Sequence, residues 1–128
     1  MRIATRGSAL ARWQAEHVAG LLGAGECELV VVETTGDKRR DVPIWEVGGT
    51  GVFVKEVQAA VLDGRADIAV HSAKDLPSIE APGLVIGAVP ERADPRDCLV
   101  GGTLAALAPG ALVATGSVRR RAQLVAAR

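Results

Sequence analysis

Asp67-Ile68-Ala69-Val70-His71-Ser72-Ala73-Lys74-Asp75-Leu76-Pro77 decides the fold of this chain. Ile68 to Val70 form an apolar run suited to a buried strand, and the residues after it are ionisable or hydroxylated. Pro77 biases Leu76 away from helix, so the strand ends in a loop that holds His71, Ser72, Lys74 and Asp75. Open α/β sheets bind ligands at the carboxyl ends of their strands. The competing reading is a strand that simply ends in a polar loop. His71 alone reads more readily as a hydrogen-bonded structural residue than as a catalyst or metal ligand, whereas Lys74 and Asp75 are the stronger site candidates.

The flanking chain alternates in a way that supports a sheet around this strand. The patterning predicts a strand at Arg2 to Thr5, a helix at about Ser8 to Leu22 and a strand at Glu28 to Glu33. A helix at about Val52 to Asp63, the Asp67 to His71 strand and a strand near Leu84 to Val89 follow. Strand and helix in turn imply an α/β fold. In the first helix Leu10, Val18, Leu21 and Leu22 share a face opposite Arg12 and Glu16, with Ser8 as N-cap. In the second, Phe53, Val57, Ala60 and Val61 face one way, Lys55, Glu56 and Asp63 the other, and Gly64 ends the helix. Gly48-Gly49-Thr50-Gly51 precedes it, where glycines let backbone N–H groups approach an anion; a flexible turn is the alternative, since the spacing is neither Walker A nor GxGxxG.

From Pro90 to Asp97 the apolar pattern gives way to charges and two prolines. A fresh strand is expected at Cys98 to Val100, another at Ala111 to Thr115, and a helix from Val118. Arg119, Arg120 and Arg121 crowd the start of that helix, where the dipole is already positive. Bound carboxylates or phosphates would make this favourable; solvated side chains spreading into water are the alternative.

Composition narrows the possible functions. The 128 residues are 48% hydrophobic, enough for one core, and 15 basic against 15 acidic side chains give no overall field for nucleic acid or an acidic membrane. With Trp13, Trp45 and Phe53 as the aromatic residues, platforms for stacking bases are scarce. Cys27 and Cys98 show neither zinc nor disulfide-scaffold spacing. No secretory leader or membrane-spanning run is evident, so a cytoplasmic protein acting on a small molecule, with no membrane or nucleic-acid partner, is expected.

Several blocks, in order, resemble the hydroxymethylbilane synthase (porphobilinogen deaminase) family: Arg2-Ile3-Ala4-Thr5-Arg6, Val47-Gly48-Gly49, Gly51-Val52-Phe53-Val54-Lys55-Glu56, Ala69 to Pro77, Asp94-Pro95-Arg96-Asp97 and Ser117-Val118-Arg119-Arg120. The resemblance implies a cytoplasmic transferase of tetrapyrrole and heme biosynthesis. It condenses four porphobilinogen molecules stepwise, with release of ammonia, and hydrolyses the product to hydroxymethylbilane. The implied fold class is α/β: an incomplete first domain like that of type II periplasmic binding proteins, plus the start of a second similar domain. The expected boundaries are 1–90 for the first, 91–95 for a crossover and 96–128 for the second.

By the same resemblance Asp75 is the catalytic carboxylate, stabilising cationic pyrrole intermediates. Arg6, Ser8, Lys74, Thr115, Ser117, Arg119 and Arg120 hold acetate and propionate groups of cofactor and substrate, and Gly48, Gly49 and Phe53 belong to a loop near the site. The cofactor is dipyrromethane, joined by a thioether to a cysteine of a third domain; neither Cys27 nor Cys98 matches that cysteine. Glu46, Thr50 and Gly116 depart from the family's common lysines and serine. The whole enzyme is expected to be a monomer. These residues alone are expected to be an inactive fragment, marginally stable or self-associating through exposed strand edges. A non-enzymatic small-anion-binding module of the same fold is the alternative; nucleic-acid binding through Arg119 to Arg121 is disfavoured by the charge balance.

Overall fold

A computed structural model describes residues 1–23, 25–38 and 51–127, in two compact units, Met1–Glu91 and Arg92–Arg128. The first is built on a three-stranded parallel sheet. Strand β1 (Arg2–Arg6) lies at its centre, between β2 (Glu28–Val32) and β3 (Ile68–Ala69). The register runs from Arg2 opposite Glu28 to Arg6 opposite Val32, and Ile3 and Ala4 face Ile68 and Ala69. The central strand therefore has both edges paired, and its middle residues Ile3, Ala4 and Thr5 are fully buried.

Helix α1 (Ala9–Leu22) follows β1, and the short helix α2 (Thr35–Lys38) follows β2. Helix α3 (Lys55–Leu62) leads back to β3. Alternation along β1 sends neighbouring side chains to opposite faces. Ala4 joins Val32, Val57, Ala60 and Ala66 in one core, so α3 covers that face. Thr5, on the other face, donates its hydroxyl hydrogen to the Ala11 carbonyl of α1 at 3.0 Å.

The helix boundaries follow the expected chemistry. Ser8 caps α1 from an extended backbone, its hydroxyl accepting from the Ala11 N–H, and Gly23 ends it in the left-handed region at φ 56°. Gly64, at φ 76°, follows the end of α3 and donates to the Val61 carbonyl. The buried stripe of α1 differs from expectation: Ala15 is buried, while Leu10, Leu21 and Leu22 are exposed and Val18 is half-buried. A helix laid on three strands makes its closest contact through small side chains, and Ala11 and Ala15 lie on that line. On α3, Val57 and Ala60 are buried as expected, but Glu56 is half-buried rather than solvated.

Three expected strands do not form. Residues 84–89 run extended without a ladder after a turn closed by Leu84 N–H on the Ala81 carbonyl, and Val85, Ile86 and Val89 are exposed. Residues 98–100 and 111–115 are likewise unpaired, with Val100 and Leu112 almost fully exposed. A strand is made by its neighbour, and among the described residues none pairs with these segments. The β3 ladder is shorter than the apolar run suggests, bounded by Asp67 N–H on Arg2 O and Val70 N–H on Ala4 O. In the second unit, helix α4 (Val118–Ala127) begins where expected. Glu46 to Thr50, including Gly48, Gly49 and the departures Glu46 and Thr50, lie outside the described residues.

Candidate functional site

The carboxyl ends of β1 and β3 open into a cleft of about 240 Å³. Arg6 enters it from the end of β1, Ser8 from the cap of α1, Gln14 from α1 itself, and Phe53 from the turn before α3. His71, Ser72, Lys74 and Asp75 come from the segment after β3. A single 3₁₀ turn, Ala73–Asp75, closed by Asp75 N–H on the Ser72 carbonyl at 2.9 Å, folds Asp75 back beneath the strand ends.

Arg6 is the most constrained group. Its Nη2 and Nε donate to the two carboxylate oxygens of Asp37 at 2.6 and 3.2 Å, and its Nη1 lies 3.8 Å from Asp75 Oδ2. The guanidinium carbon stands 4.0 Å from the centroid of the Phe53 ring, a cation–π arrangement. Arg6 and Asp37 retain only 18% and 14% of their side-chain exposure. The Arg6 hydrogen bonds, helped by Thr34 and opposed by burial, hold the Asp37 carboxyl at about 2.

Asp37 is in turn fixed by its own helix. Thr34 Oγ1 donates to Asp37 Oδ2 at 2.8 Å, and the Asp37 N–H donates to Thr34 Oγ1 at 3.3 Å. The Thr34 N–H reaches Asp37 Oδ2 at 3.3 Å, which completes a capping box. Glu56 anchors the same helix, its Oε1 accepting from Thr35 N–H and Oγ1 at 2.8 and 2.5 Å. Burial pushes the Glu56 carboxyl up, but the Thr35 hydrogen bonds outweigh it and hold it below its usual range. Between these contacts sits Gly36, where an added Cβ would lie 2.1 Å from the Phe53 ring.

On the other wall, Ser72 donates to Gln14 Oε1 at 2.8 Å, tying α1 to the segment after β3. His71 does not behave as a hydrogen-bonded structural residue at Nε2, which is buried without a partner among the described residues. Burial lowers its pKa, against the opposing charge of Asp75 and with the help of Arg6.

The structure thus brings together Arg6, Ser8, Phe53, Lys74 and Asp75. Thr115, Ser117, Arg119 and Arg120 gather separately at the start of α4. There Thr115 Oγ1 accepts from Ser117 N–H and Ser117 Oγ from Arg120 N–H, while the Arg120 guanidinium pairs with Asp97 at 2.7 Å. Asp97, Asp37, Gln14 and Gly36 are the partners that sequence reasoning missed. Thr34-x-x-Asp37 was legible as a capping box, and Gln14 as a polar residue beside the small-residue stripe of α1. The two cysteines stand outside the cleft. Cys27 precedes β2 at the amino end of the sheet, and Cys98 is exposed in the second unit.

Chemically, the cleft offers two cationic side chains and two hydroxyls suited to carboxylates, with one carboxylate beside Arg6 suited to a pyrrole N–H or a developing cation. It defines an α/β domain with a polar small-molecule cleft at the carboxyl edge of a parallel sheet. A family model described as porphobilinogen deaminase, dipyromethane cofactor binding domain, matches residues 1–128, and the chain belongs to that family. It is 54% identical over 97% of its length to a porphobilinogen deaminase of Acidothermus cellulolyticus. It is 52% identical over 98% to one of Nitratidesulfovibrio vulgaris, and 52% identical over 97% to one of Bordetella parapertussis. It spans 39% to 42% of the length of these relatives.

Proposed function

We propose that this chain serves, within a longer polypeptide, in hydroxymethylbilane synthesis, the stepwise condensation of four porphobilinogen molecules with release of ammonia. The observation that carries this reading is the placement of Asp75 in one cleft with Arg6 and Lys74, in a chain of the porphobilinogen deaminase family. Arg6, Lys74, Ser8 and Ser72 bind the acetate and propionate groups of the pyrroles. Asp75, beside Arg6 in the same cleft, accepts the pyrrole N–H and stabilises the positive charge that builds on the ring as ammonia leaves.

The lining also fits a dipyrromethane, whose carboxylates need the same cations and hydroxyls and whose ring nitrogens need an acceptor. When bound, this group supplies the nucleophilic pyrrole carbon that primes chain growth. Thr115, Ser117, Arg119 and Arg120 bind further carboxylates. The first unit is read as an incomplete domain of the type II periplasmic-binding-protein kind and the second as the start of a similar one, with the change of domain at 91–95 and a cytoplasmic location.

The test is Asp75→Asn in the complete protein. Turnover of porphobilinogen should fall by at least about a hundredfold, the scale of a lost electrostatic or general-acid group, with porphobilinogen still bound. Unchanged turnover would overturn the role of Asp75. Binding of small carboxylates without any turnover in the parent would point instead to an anion-binding module.

A further inference from the structure

We infer that Asp37 is a positioning residue for Arg6: it holds two nitrogens of the guanidinium so that the third, Nη1, stays on the Asp75 side of the cleft for a substrate carboxylate. This deepens the reading of the site given above and rests on it for the identity of the substrate.

Three contacts make the arrangement. Asp37 takes the Nε–Nη2 edge of Arg6 in a two-point pair, the geometry that fixes a guanidinium in its plane. Phe53 covers one face at 4.0 Å, so rotation about the side chain is blocked as well. Gly36 is the condition for that cover, because any Cβ there would occupy the space of the Phe53 ring. Residues 34–38 therefore act on Arg6 at its edge through Asp37 and at its face through the room left at Gly36. An arginine left to itself at a strand end would sample many rotamers, and each would have to be lost again on binding a carboxylate. Asp37 removes that freedom in advance. It is itself held by Thr34, so the pair does not depend on ligand.

Asp67 supplies the comparison within the same strand. It also makes a two-point contact with an arginine of β1, Arg2, but at the amino end of the sheet and away from the cleft. A purely structural role would make the two aspartates equivalent.

The experiment compares Asp37→Asn, Asp37→Glu, Gly36→Ala and Asp67→Asn. In the ¹⁵N-labelled complete protein, the Arg6 Nε–H resonance should be protected from exchange in the parent and lose that protection in Asp37→Asn. Asp67→Asn should leave it unchanged. In the complete protein, KM for porphobilinogen should rise about tenfold in Asp37→Asn with kcat within about threefold, the pattern of lost uniform binding through one charged contact. Asp37→Glu should recover part of the loss, Gly36→Ala should raise KM by less, and Asp67→Asn should leave KM as it was. Loss of Nε–H protection with an unchanged KM would overturn the positioning role, as would retained protection in Asp37→Asn. Where a variant loses amide dispersion, Gly36→Ala, which keeps the Asp37 carboxylate, decides by the same two readouts. If the complete parent protein turns over no porphobilinogen, the reading of the reaction fails. The exchange measurement then still decides whether Asp37 holds Arg6.

Discussion

Strand β1 carries an arginine–aspartate pair at each end, and the two pairs have different environments. Arg2 and Asp67, at the amino end, meet at 2.7 Å with more than two fifths of each side chain exposed. Arg6 and Asp37, at the carboxyl end, meet at 2.6 Å with less than a fifth exposed, under a phenylalanine ring and beside a second carboxylate. Distance does not separate them; surroundings do. In water the first pair pins β3 to β1 and contributes little, because its charges remain well solvated. The second pair is largely shielded from water, so its partners depend more on each other, and Arg6 is left with one nitrogen on the Asp75 side of the cleft.

The largest expected difference comes from deleting each arginine. Arg6→Met removes the guanidinium that binds both Asp37 oxygens in a partly buried site, and loss of one member of such a pair costs up to about 3 kcal/mol. The denaturant midpoint of Arg6→Met should therefore fall well below that of the parent, while Arg2→Met should stay close to it. Equal losses would mean that burial at the cleft does not distinguish the pairs.

Acid should reveal the same asymmetry. The Asp37 carboxyl is depressed from 3.8 to about 2 in the folded chain, so its stabilising contribution is complete above about pH 4 and is lost as pH falls toward 2. His71 adds a separate step at higher pH. Burial lowers its pKa from 6.5, so the folded chain is favoured above that value and loses stability as pH falls through the histidine's folded range. Denaturant midpoints measured from pH 7 to pH 2 should show both declines. Asp37→Asn should flatten the lower one and leave the upper one in place, and His71→Gln should do the reverse. A lower decline that survives Asp37→Asn would assign it to other carboxylates.

A smaller effect concerns the helix that brings Ser8 and Gln14 to the cleft. Ser8 satisfies the Ala11 N–H at the start of α1, and Ser8→Ala should cost about 1 kcal/mol in chemical denaturation. Ser8→Gly should cost only a few tenths. If the two losses are equal, the side-chain cap contributes little and Ser8 matters only where it lines the cleft.

The two ends of β1 also show what could be read before the fold was known. Asp75 and Lys74 were legible because an apolar run stops against them, and Arg6 because the family blocks place it. Those signals are local in sequence. Asp37 and Gly36 act on Arg6 from 30 residues away, through a short helix whose direction depends on β2 lying parallel to β1. Their meaning appears only once the register brings Val32 beside Arg6. The failed strands at 84–89, 98–100 and 111–115 show the same dependence in the opposite sense: the alternation was present, but pairing requires a partner the pattern cannot supply. On α1 the leucines suggested the buried face, whereas the narrow sheet admits the alanine line, since close approach outweighs apolar area where a helix crosses few strands.

Salt gives the smallest effect and tests whether exposure is what separates the two pairs. Exposed charges are screened over about 8 Å at physiological ionic strength and about 3 Å near 1 M, while a pair enclosed by protein is screened far less. The difference in denaturant midpoint between parent and Asp67→Asn should therefore shrink as sodium chloride is raised toward about 1 M. The difference between parent and Asp37→Asn should persist, because Phe53, Thr34 and the end of β1 surround that pair. If both differences shrink together, solvent reaches Arg6 as readily as Arg2, and the restraint that Asp37 exerts would have to come from its two-point geometry rather than from burial.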